Sequence, residues 1–285
     1  MRIDNSGAKL WWKCPLEYQE KYVHEREPET LQGAMAFGTR LHELLEEHYS
    51  GKQKYQASED IGLEAEAQVM FEAYRAYYPE EPFEVVDVER VFEVPLKLDN
   101  CGGSGSDEAS RLSCPRCKGT GFEAIHTYTG KFDVIVRMRD SGRLWLMDHK
   151  TERRNSHSNS PESWASRSQV SLYIWAAEQV YNEPVEGIIV NILRRQSPKG
   201  EIGPEFRRDH PQRSKEQIAE AVANITWVAD QIERMQREYG ERQWPANRNN
   251  CIQGNFKCDY FVPHTYGWSD ELLRKYVKPK PYLEL

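Results

Sequence analysis

Three residues in the segment 131–150 are of the types that could hold a divalent cation against a phosphate. Asp133 lies in one alternating run, and Asp148 and Lys150 lie in a second, with His149 between them. Carboxylate oxygens are the ligands that hard divalent cations prefer, and a cation held in this way can activate water and stabilise charge on a phosphate. A lysine beside a metal ligand could position that water or stabilise the transition state. The alternative interpretation is an ordinary polar strand end, because the pattern D-x-K is common.

Alternation with a period of two predicts that this segment forms two β-strands joined by a turn at 140–143. The apolar residues of the first strand share one face, which leaves Asp133 on the other face. In the second strand Asp148 and Lys150 share a face, and His149 points the opposite way. We expect the two strands to pair as a hairpin. Two carboxylates and one ammonium would then converge at one edge of a small sheet.

Helical and strand periodicities follow one another along the rest of the chain. Apolar residues recur at helical spacing over 9–24, 34–49, 60–78, 168–181 and 214–238, and they alternate over 83–98, 122–127 and 185–193. Polar loops are predicted over 50–58, after Lys150 and over 195–212, and the segment 244–285 is predicted to be irregular. This order predicts an α/β (α+β) chain with a central mixed sheet flanked by helices, in a single domain over 1–285.

The composition is that of a soluble globular protein. Of the 285 residues, 39% are hydrophobic, and no apolar run approaches the length of a membrane span. The first residues do not resemble a signal peptide, so we expect a cytoplasmic location. The formal net charge of −7 argues against a protein that coats nucleic acid through bulk electrostatics, but it is compatible with a local basic strip. Candidates for that strip are Arg153, Arg154, Arg167, Arg194, Arg195, Arg207 and Arg208.

Two of the predicted helices carry polar pairs at a spacing of four residues. His42 and Glu46 share a face apart from the leucine stripe of their helix, and Gln169 and Tyr173 point to a common place. A stabilising surface pair would explain His42 with Glu46. Core packing would explain Tyr173, but it explains Gln169 poorly.

In chain order these pieces are Gly38-Thr39-x-x-His42-x-x-x-Glu46, Lys131-Phe132-Asp133, Asp148-His149-Lys150-Thr151 and Gln169-x-x-x-Tyr173. With these pieces in this order, the sequence resembles the PD-(D/E)XK nucleases. Within that superfamily it is similar to the RecB-type exonuclease branch, which includes the iron-sulfur nucleases of CRISPR adaptation and many phage recombination exonucleases. The resemblance implies a restriction-endonuclease-like core.

The resemblance also implies roles for single residues. His42, Asp133 and Asp148 would bind Mg²⁺ or Mn²⁺, with the main-chain carbonyl of His149 as an additional ligand. Lys150 would be the catalytic lysine. Gln169 and Tyr173 would match the helical motif that orients the site and touches DNA, so the catalytic set is Asp133, Asp148, Lys150, Gln169 and Tyr173.

The six cysteines fall into two groups, and in a cytoplasmic chain they indicate metal ligands or free thiols before disulfides. Iron-sulfur members of the branch place one cysteine near the N-terminus and three near the C-terminus. Here Cys14 matches, Cys251 and Cys258 match loosely, and His264 occupies the place of the last cysteine. This set could hold a [4Fe-4S] cluster, could hold zinc, or could be vestigial, and we favour a cluster that joins the segment 244–285 to Cys14.

The other three cysteines lie in a glycine-rich insertion over 98–121. Its run from Cys114 to Gly121 resembles the zinc-knuckle unit C-x-x-C-x-G-x-G of J-domain chaperones, and Cys101 begins a second, partial match. Three thiolates, Cys101, Cys114 and Cys117, would bind zinc with Asp99 or His126 as a fourth ligand. The alternative is a flexible loop with free cysteines.

The sequence therefore predicts a metal-dependent DNA nuclease that hydrolyses phosphodiesters in DNA repair, recombination or phage DNA processing. Exonuclease and endonuclease activity are both open, and we favour an exonuclease. Its partners would be single-stranded DNA or duplex ends and a recombination or replication protein, in a bacterial or phage-infected cell. The alternative is a catalytically silent DNA-binding or scaffolding module that uses the zinc insertion to engage a partner.

Overall fold

A computed structural model describes residues 1–98, 123–153, 160–196, 203–253 and 256–278. The predicted insertion beyond residue 98, with Cys101, Cys114 and Cys117, lies outside the described residues. Contacts divide the chain into two compact units: unit 1 comprises Met1–Glu27, Glu93–Gly130 and Val222–Leu285, and unit 2 comprises Pro28–Phe92 and Lys131–Ala221. The single nuclease-like domain that the sequence predicts over 1–285 is not tested by this division and stays a prediction.

The helices and strands of the described residues follow one another in mixed order. The helices are α1 (Asn5–Lys13), α2 (Pro15–Tyr18), α3 (Glu29–Ser50), α4 (Ile61–Tyr77), α5 (Pro161–Ser166), α6 (Ser168–Tyr181), α7 (Lys215–Tyr239), α8 (Phe261–Tyr266) and α9 (Asp270–Leu273), with a π-helical turn at Gln19–Val23 and a 3-10 turn at Arg248–Asn250. The strands are β1 (Arg2–Ile3), β2 (Glu27–Pro28), β3 (Phe83–Leu98), β4 (Glu123–Met138), β5 (Leu144–Glu152), β6 (Val185–Arg194), β7 (Glu205–Asp209), β8 (Ile252–Gln253), β9 (Phe256–Lys257) and β10 (Tyr276–Val277).

Unit 2 contains a mixed sheet in which β4, β5, β6 and β7 are neighbours in that order. β4 and β5 pair antiparallel, with Val134 opposite Met147. β5 and β6 pair parallel, with Asp148 opposite Val190, and β7 returns antiparallel to β6. The hairpin of β4 and β5 that the alternation predicted is therefore confirmed, and it forms the middle of the sheet.

Helices cover this sheet because alternate residues of its strands are apolar on both faces. One face packs against α3 and α4, and its core includes Leu41, Leu45, Tyr74, Met147 and Ile189. The alternate residues of β6 point the other way, and α6 packs against β5 and β6 there. A mixed α/β fold with a central sheet flanked by helices is thus confirmed.

Unit 1 is built from the N-terminal helices, α7 and the C-terminal segment. β1 pairs parallel with β4, where Ile3 lies opposite Tyr128. Trp244 packs edge-on against Trp11 and stacks on Tyr18, with ring centroids 6.1 Å apart in both pairs. The Gln19 side chain accepts from the main-chain N–H of Trp244 at 2.9 Å. These contacts tie the two ends of the described chain together within the unit.

Several boundaries differ from those predicted, for identifiable reasons. The single helix predicted over 9–24 is interrupted at Cys14, which is extended with φ −165°, because Pro15 disfavours helical geometry at the residue before it. The predicted loop over 195–212 contains β7, whose only apolar residue is the buried Phe206. Helix α5, which was not predicted, begins at the Ser160 cap where the polar run after Lys150 ends. The segment predicted as irregular from Trp244 contains short helices and two-residue strands.

None of the helices in the described ranges has both the length and the apolar character needed to cross a bilayer.

Candidate active site

The two aspartates of unit 2 lie beside each other on paired strands. The register that sets Val134 opposite Met147 places Asp133 next to Asp148 at the following position of the ladder. The main-chain N–H of His149 donates to Asp133 Oδ2 at 2.8 Å. Asp148 is only 5% exposed. Strand geometry therefore brings two carboxylates together in a largely buried place.

Helix α3 brings His42 close to these two carboxylates. Its Nδ1 lies 3.7 Å from Asp133 Oδ2. Burial opposes ionisation of Asp133, but the proximity of His42 and Lys150 favours its charged form, and the net effect lowers the pKa of Asp133. Asp133 is therefore the carboxylate of the pair that retains its negative charge most readily.

Asp148 has the opposite tendency. Burial raises the pKa of Asp148, and the neighbouring charge of Asp133 adds to this effect although Lys150 opposes it. Lys150 Nζ lies 2.6 Å from Asp148 Oδ2. Burial disfavours the charged ammonium, but the two carboxylates outweigh that cost and raise the pKa of Lys150. Gln169 on α6 donates its amide to Asp148 Oδ1 at 3.5 Å, the limit of a hydrogen bond.

A hard divalent cation fits this donor set. Two crowded carboxylates bring more negative charge into a buried place than the single Lys150 compensates, and carboxylate oxygens with an imidazole suit Mn²⁺ or Mg²⁺. The ligand atoms of His42, Asp133 and Asp148 do not all lie within 4.8 Å of one another. Asp148 is paired with Lys150 instead. Of the predicted metal ligands, His42 and Asp133 are therefore the two whose ligand atoms the structure brings together.

The side chain of His149 points away from the carboxylates, as the alternation predicted, into a buried polar network. Its Nδ1 accepts from the amide of Asn191 at 2.8 Å, and the same amide donates to the hydroxyl of Tyr74 at 3.0 Å. Burial lowers the pKa of His149 to about 3, so the imidazole is neutral. Only the main-chain carbonyl of His149 could act as a metal ligand on the carboxylate face.

The network continues through a buried ion pair. Arg208 on β7 donates to Glu81 Oε2 at 2.6 Å and to the hydroxyl of Tyr74 at 2.8 Å. The hydroxyl of Tyr49 donates to Glu81 at 2.8 Å, and its ring stacks on His149 at 5.6 Å. This polar cluster lies under the site, within an otherwise apolar layer between α3, α4 and the sheet.

Glu89 is a third carboxylate of the site, and the sequence did not single it out. It forms an ion pair with Lys131, and burial together with the charge of Asp133 raises its pKa to about 7. Its φ of 52° lies in the left-handed region, which is rare for a non-glycine residue in a strand. The one sequence signal was indirect, since its partner Lys131 is part of the Lys131-Phe132-Asp133 motif.

Gln169 and Tyr173 are not equivalent in the structure. The amide of Gln169 approaches Asp148. The ring of Tyr173 is buried and packs edge-on against Phe132 and Phe92, with centroids 5.6 and 5.9 Å apart. Packing therefore accounts for the Tyr173 ring, while Gln169 is positioned by α6 toward the carboxylates.

Similarity to known proteins decides the family of the chain. The sequence profile of the PD-(D/E)XK nuclease superfamily matches residues 6–260. The chain belongs to the PD-(D/E)XK nuclease superfamily. A crystal structure from Eubacterium rectale, described as a "putative exonuclease", is similar in fold with a TM-score of 0.51 and 13% identity, over 94% of each chain. No curated protein matches the chain by sequence.

The arginines expected to form a basic strip in this superfamily member are mostly engaged with acids. Arg194 pairs with Glu152 at 3.0 Å, and Arg208 is the buried partner of Glu81. Arg195 and Arg207 are likewise paired, with Glu66 and Asp209. A continuous basic strip built from this set is therefore not what the structure shows.

Two other candidates of the strip, Arg153 and Arg167, are also described. Arg153 is exposed at the end of β5. The charge of Arg167 acts on Lys150 and Asp148, and its guanidinium lies 4.0 Å from the centroid of the Trp164 ring. Arg154 lies outside the described residues. Arg167 is thus the candidate whose position relates most directly to the carboxylates.

The cysteines that resemble the iron-sulfur ligands of the superfamily lie in unit 1. The main-chain N–H of Cys258 donates to the carbonyl of Cys251 at 2.8 Å. Burial raises the pKa of Cys258 to about 11, and the proximity of Cys14 contributes. His264 instead stacks on Tyr260 with centroids 5.7 Å apart.

The structure therefore brings Cys258 near Cys14 and Cys251 but gives His264 another partner. His264 Nε2 lies 3.5 Å from Glu20 Oε1. No three of Cys14, Cys251, Cys258 and His264 have ligand atoms within 4.8 Å of one another, as a single zinc ion would require. A four-iron cluster spaces its cysteine sulfurs more widely, and that assignment stays a prediction.

Proposed function

We propose that this superfamily member is a DNA nuclease that depends on Mg²⁺ or Mn²⁺ and acts as an exonuclease. The observation that carries the proposal is the convergence of Asp133, Asp148 and Lys150 on the paired strands β4 and β5, with His42 3.7 Å from Asp133. Buried carboxylates that repel each other are costly to stability unless a cation or substrate compensates them. Their presence beside a lysine therefore supports a catalytic role.

Each residue has a role that its environment supports. His42, Asp133, Asp148 and the carbonyl of His149 would hold the cation, which when bound would supply Lewis acidity toward a phosphate and its attacking water. Lys150, kept protonated by the two carboxylates, would stabilise charge that develops on the phosphate. Gln169 would orient Asp148, Tyr173 would support the helix, and Arg167 would contact a neighbouring phosphate.

The test is a cleavage assay with linear and circular DNA, each single- and double-stranded, with Mn²⁺ or with EDTA. We expect Mn²⁺-dependent degradation of linear DNA by the parent and none by Asp133→Asn. Asp140→Asn, the same change in the exposed turn between β4 and β5, is the matched control and should retain activity. Cleavage of circular DNA would contradict the exonuclease assignment. DNA binding without cleavage would favour the silent-module alternative.

The biological setting is a further part of the proposal. DNA repair, recombination or phage DNA processing would supply linear DNA ends, and a recombination or replication protein would deliver them. We place this activity in the cytoplasm of a bacterial or phage-infected cell. A [4Fe-4S] cluster on the grouped cysteines and zinc in the insertion would be structural, and metal analysis of anaerobically purified protein tests both.

A further inference from the structure

A second group of potential metal ligands lies in unit 1 and takes no part in the proposed nuclease chemistry. His126 on β4, which the sequence suggests as a fourth zinc ligand for the insertion, has its Nε2 2.9 Å from Asp230 Oδ1 and 4.0 Å from Glu233 Oε2. The two acids are three residues apart on α7, so they share one face of the helix. The three ligand atoms all lie within 4.8 Å of one another, and within the described ranges this is the only such group of three.

The imidazole is held in place, whereas the carboxylates are accessible. The side chain of His126 is completely buried, and those of Asp230 and Glu233 are 42% and 58% exposed. The second ring nitrogen, Nδ1, lies 3.3 Å from the nitrogen of the N-terminal amino group of Met1. Contacts at both nitrogens fix the direction in which Nε2 points. A rigid nitrogen donor therefore faces two carboxylates that solvent and ions can reach.

Within the described residues, lysine and arginine side chains do not balance the charges of this group. In that part of the chain neither Asp230 nor Glu233 forms an ion pair with a lysine or arginine, and both face the same imidazole. Even a protonated His126 would compensate only one of the two negative charges. A divalent cation between the three ligands would compensate both.

The spacing also fits a small cation. Ligands that bind zinc tetrahedrally with bonds of about 2.0 Å lie roughly 3.3 Å apart, between the two distances measured from His126 Nε2. A nitrogen ligand favours zinc and related transition metals over Mg²⁺ or Ca²⁺. Three protein ligands with exposed carboxylates leave room for water at the remaining position.

We propose that His126, Asp230 and Glu233 form a binding site for a zinc-class divalent cation, which fastens α7 to β4 within unit 1. The site uses neither the carboxylates of the candidate active site nor any cysteine. Its role is structural, since the ligands come from a strand and a helix that are far apart in the sequence.

The proposal is tested by counting zinc on the full-length chain. The parent and the variant Asp230→Asn/Glu233→Gln are stripped with a chelator, loaded with Zn²⁺, desalted and analysed for metal content. We expect the variant to bind one equivalent less than the parent, because every other candidate ligand is unchanged. We also expect Zn²⁺ to raise the Tm of the parent by several degrees more than that of the variant.

The control variant is Asp270→Asn/Glu271→Gln, which makes the same two changes on an exposed helix of unit 1, where Glu271 pairs with Lys275. It should bind as much zinc as the parent. His126→Asn should match the loss seen in the double variant, and if it fails to fold, the double variant decides alone because its two positions are solvent-accessible. Equal zinc content in the parent and the double variant would overturn the proposal.

Discussion

Among the residues that the structure describes, two groups bring one histidine together with two carboxylates, and they differ chiefly in burial. In unit 2, Asp148 is 5% exposed and shares its site with Asp133 and Lys150. In unit 1, the side chains of Asp230 and Glu233 are 42% and 58% exposed. Burial perturbs ionisation and makes uncompensated charge costly, so the buried group is suited to chemistry and the exposed group to holding an ion.

The largest expected effect concerns the buried group, where Asp148 and Lys150 share a strand face but should differ in role. Asp148→Ala should abolish both cleavage and tight Mn²⁺ binding, because it removes one carboxylate from the ligand set. Lys150→Ala should reduce cleavage by about 10²-fold to 10³-fold. It should bind Mn²⁺ at least as tightly as the parent, because a nearby positive charge is removed.

Calorimetric Mn²⁺ titration beside a cleavage assay separates these roles. The matched lysine control is Lys52→Ala, at an exposed position of unit 2 just after α3, and it should leave both measurements unchanged. If Lys150→Ala cleaves normally, or Asp148→Ala binds Mn²⁺ like the parent, the strand has been assigned the wrong chemistry.

The second prediction concerns the polar network beneath the buried group. Asn191 is fully buried and donates to His149 and to Tyr74. Asn191→Leu should lower the free energy of unfolding by about 2 to 4 kcal/mol. It leaves His149 Nδ1 without a partner, which costs about 1 to 3 kcal/mol, and it removes one of the hydrogen bonds of the Tyr74 hydroxyl, which is worth about 0.5 to 1.5 kcal/mol. Denaturant unfolding in the presence of a chelator measures this. Ile192→Val, on the opposite face of the same strand, should cost only about 1 kcal/mol.

The sequence predicted the parts of the site that depend on local periodicity. A period of two placed Asp133 on one strand and Asp148 with Lys150 on the next, and the face of His149 followed from the same rule. Helical spacing placed Gln169 on α6, but it could not distinguish its polar contact from the aromatic packing of Tyr173.

What the sequence could not predict depends on contacts between distant segments. Glu89 lies within β3 and itself has a left-handed backbone conformation. Nothing in the residue types around it predicts that conformation. The run 195–212 was predicted to be a loop that contains Pro204 and Pro211, yet Arg208 lies there largely shielded from solvent in an ion pair with Glu81. Arg194, Arg195 and Arg207 were expected to form a basic strip with Arg208. They pair instead with acids that are distant in the sequence or on the same strand.

The third prediction tests Glu89 through the pH dependence of stability. Its pKa is raised from an ordinary 4.5 to about 7 by burial and by Asp133, so the folded protein holds a proton that the unfolded chain releases. The contribution of Glu89 to stability is therefore fully present below pH 4.5 and is lost as the pH rises to about 7. The loss is at most about 3.5 kcal/mol, because each of the roughly 2.5 pH units between the unfolded and folded pKa values contributes about 1.4 kcal/mol.

Metal-free protein and the variant Glu89→Gln should then diverge with pH. Relative to the parent, the variant should gain stability as the pH rises from 4.5 through 7, since glutamine does not ionise. Glu84→Gln, an exposed position on the same strand, should follow the parent. Parallel stability curves for Glu89→Gln and the parent would show that Glu89 ionises normally in the folded state.

The smallest expected effect belongs to the exposed group, in protein stripped of metal. Asp230→Asn retains an oxygen that can accept from His126, and the ion pair it loses is partly solvated, so the free energy of unfolding should fall by less than about 1 kcal/mol. His126→Ala should cost clearly more, because it empties a completely buried position. Chemical unfolding of both variants in a chelator measures the difference. A loss of several kcal/mol in Asp230→Asn would mean that the exposed group depends on charge as strongly as the buried one, and the distinction between the two groups would fail.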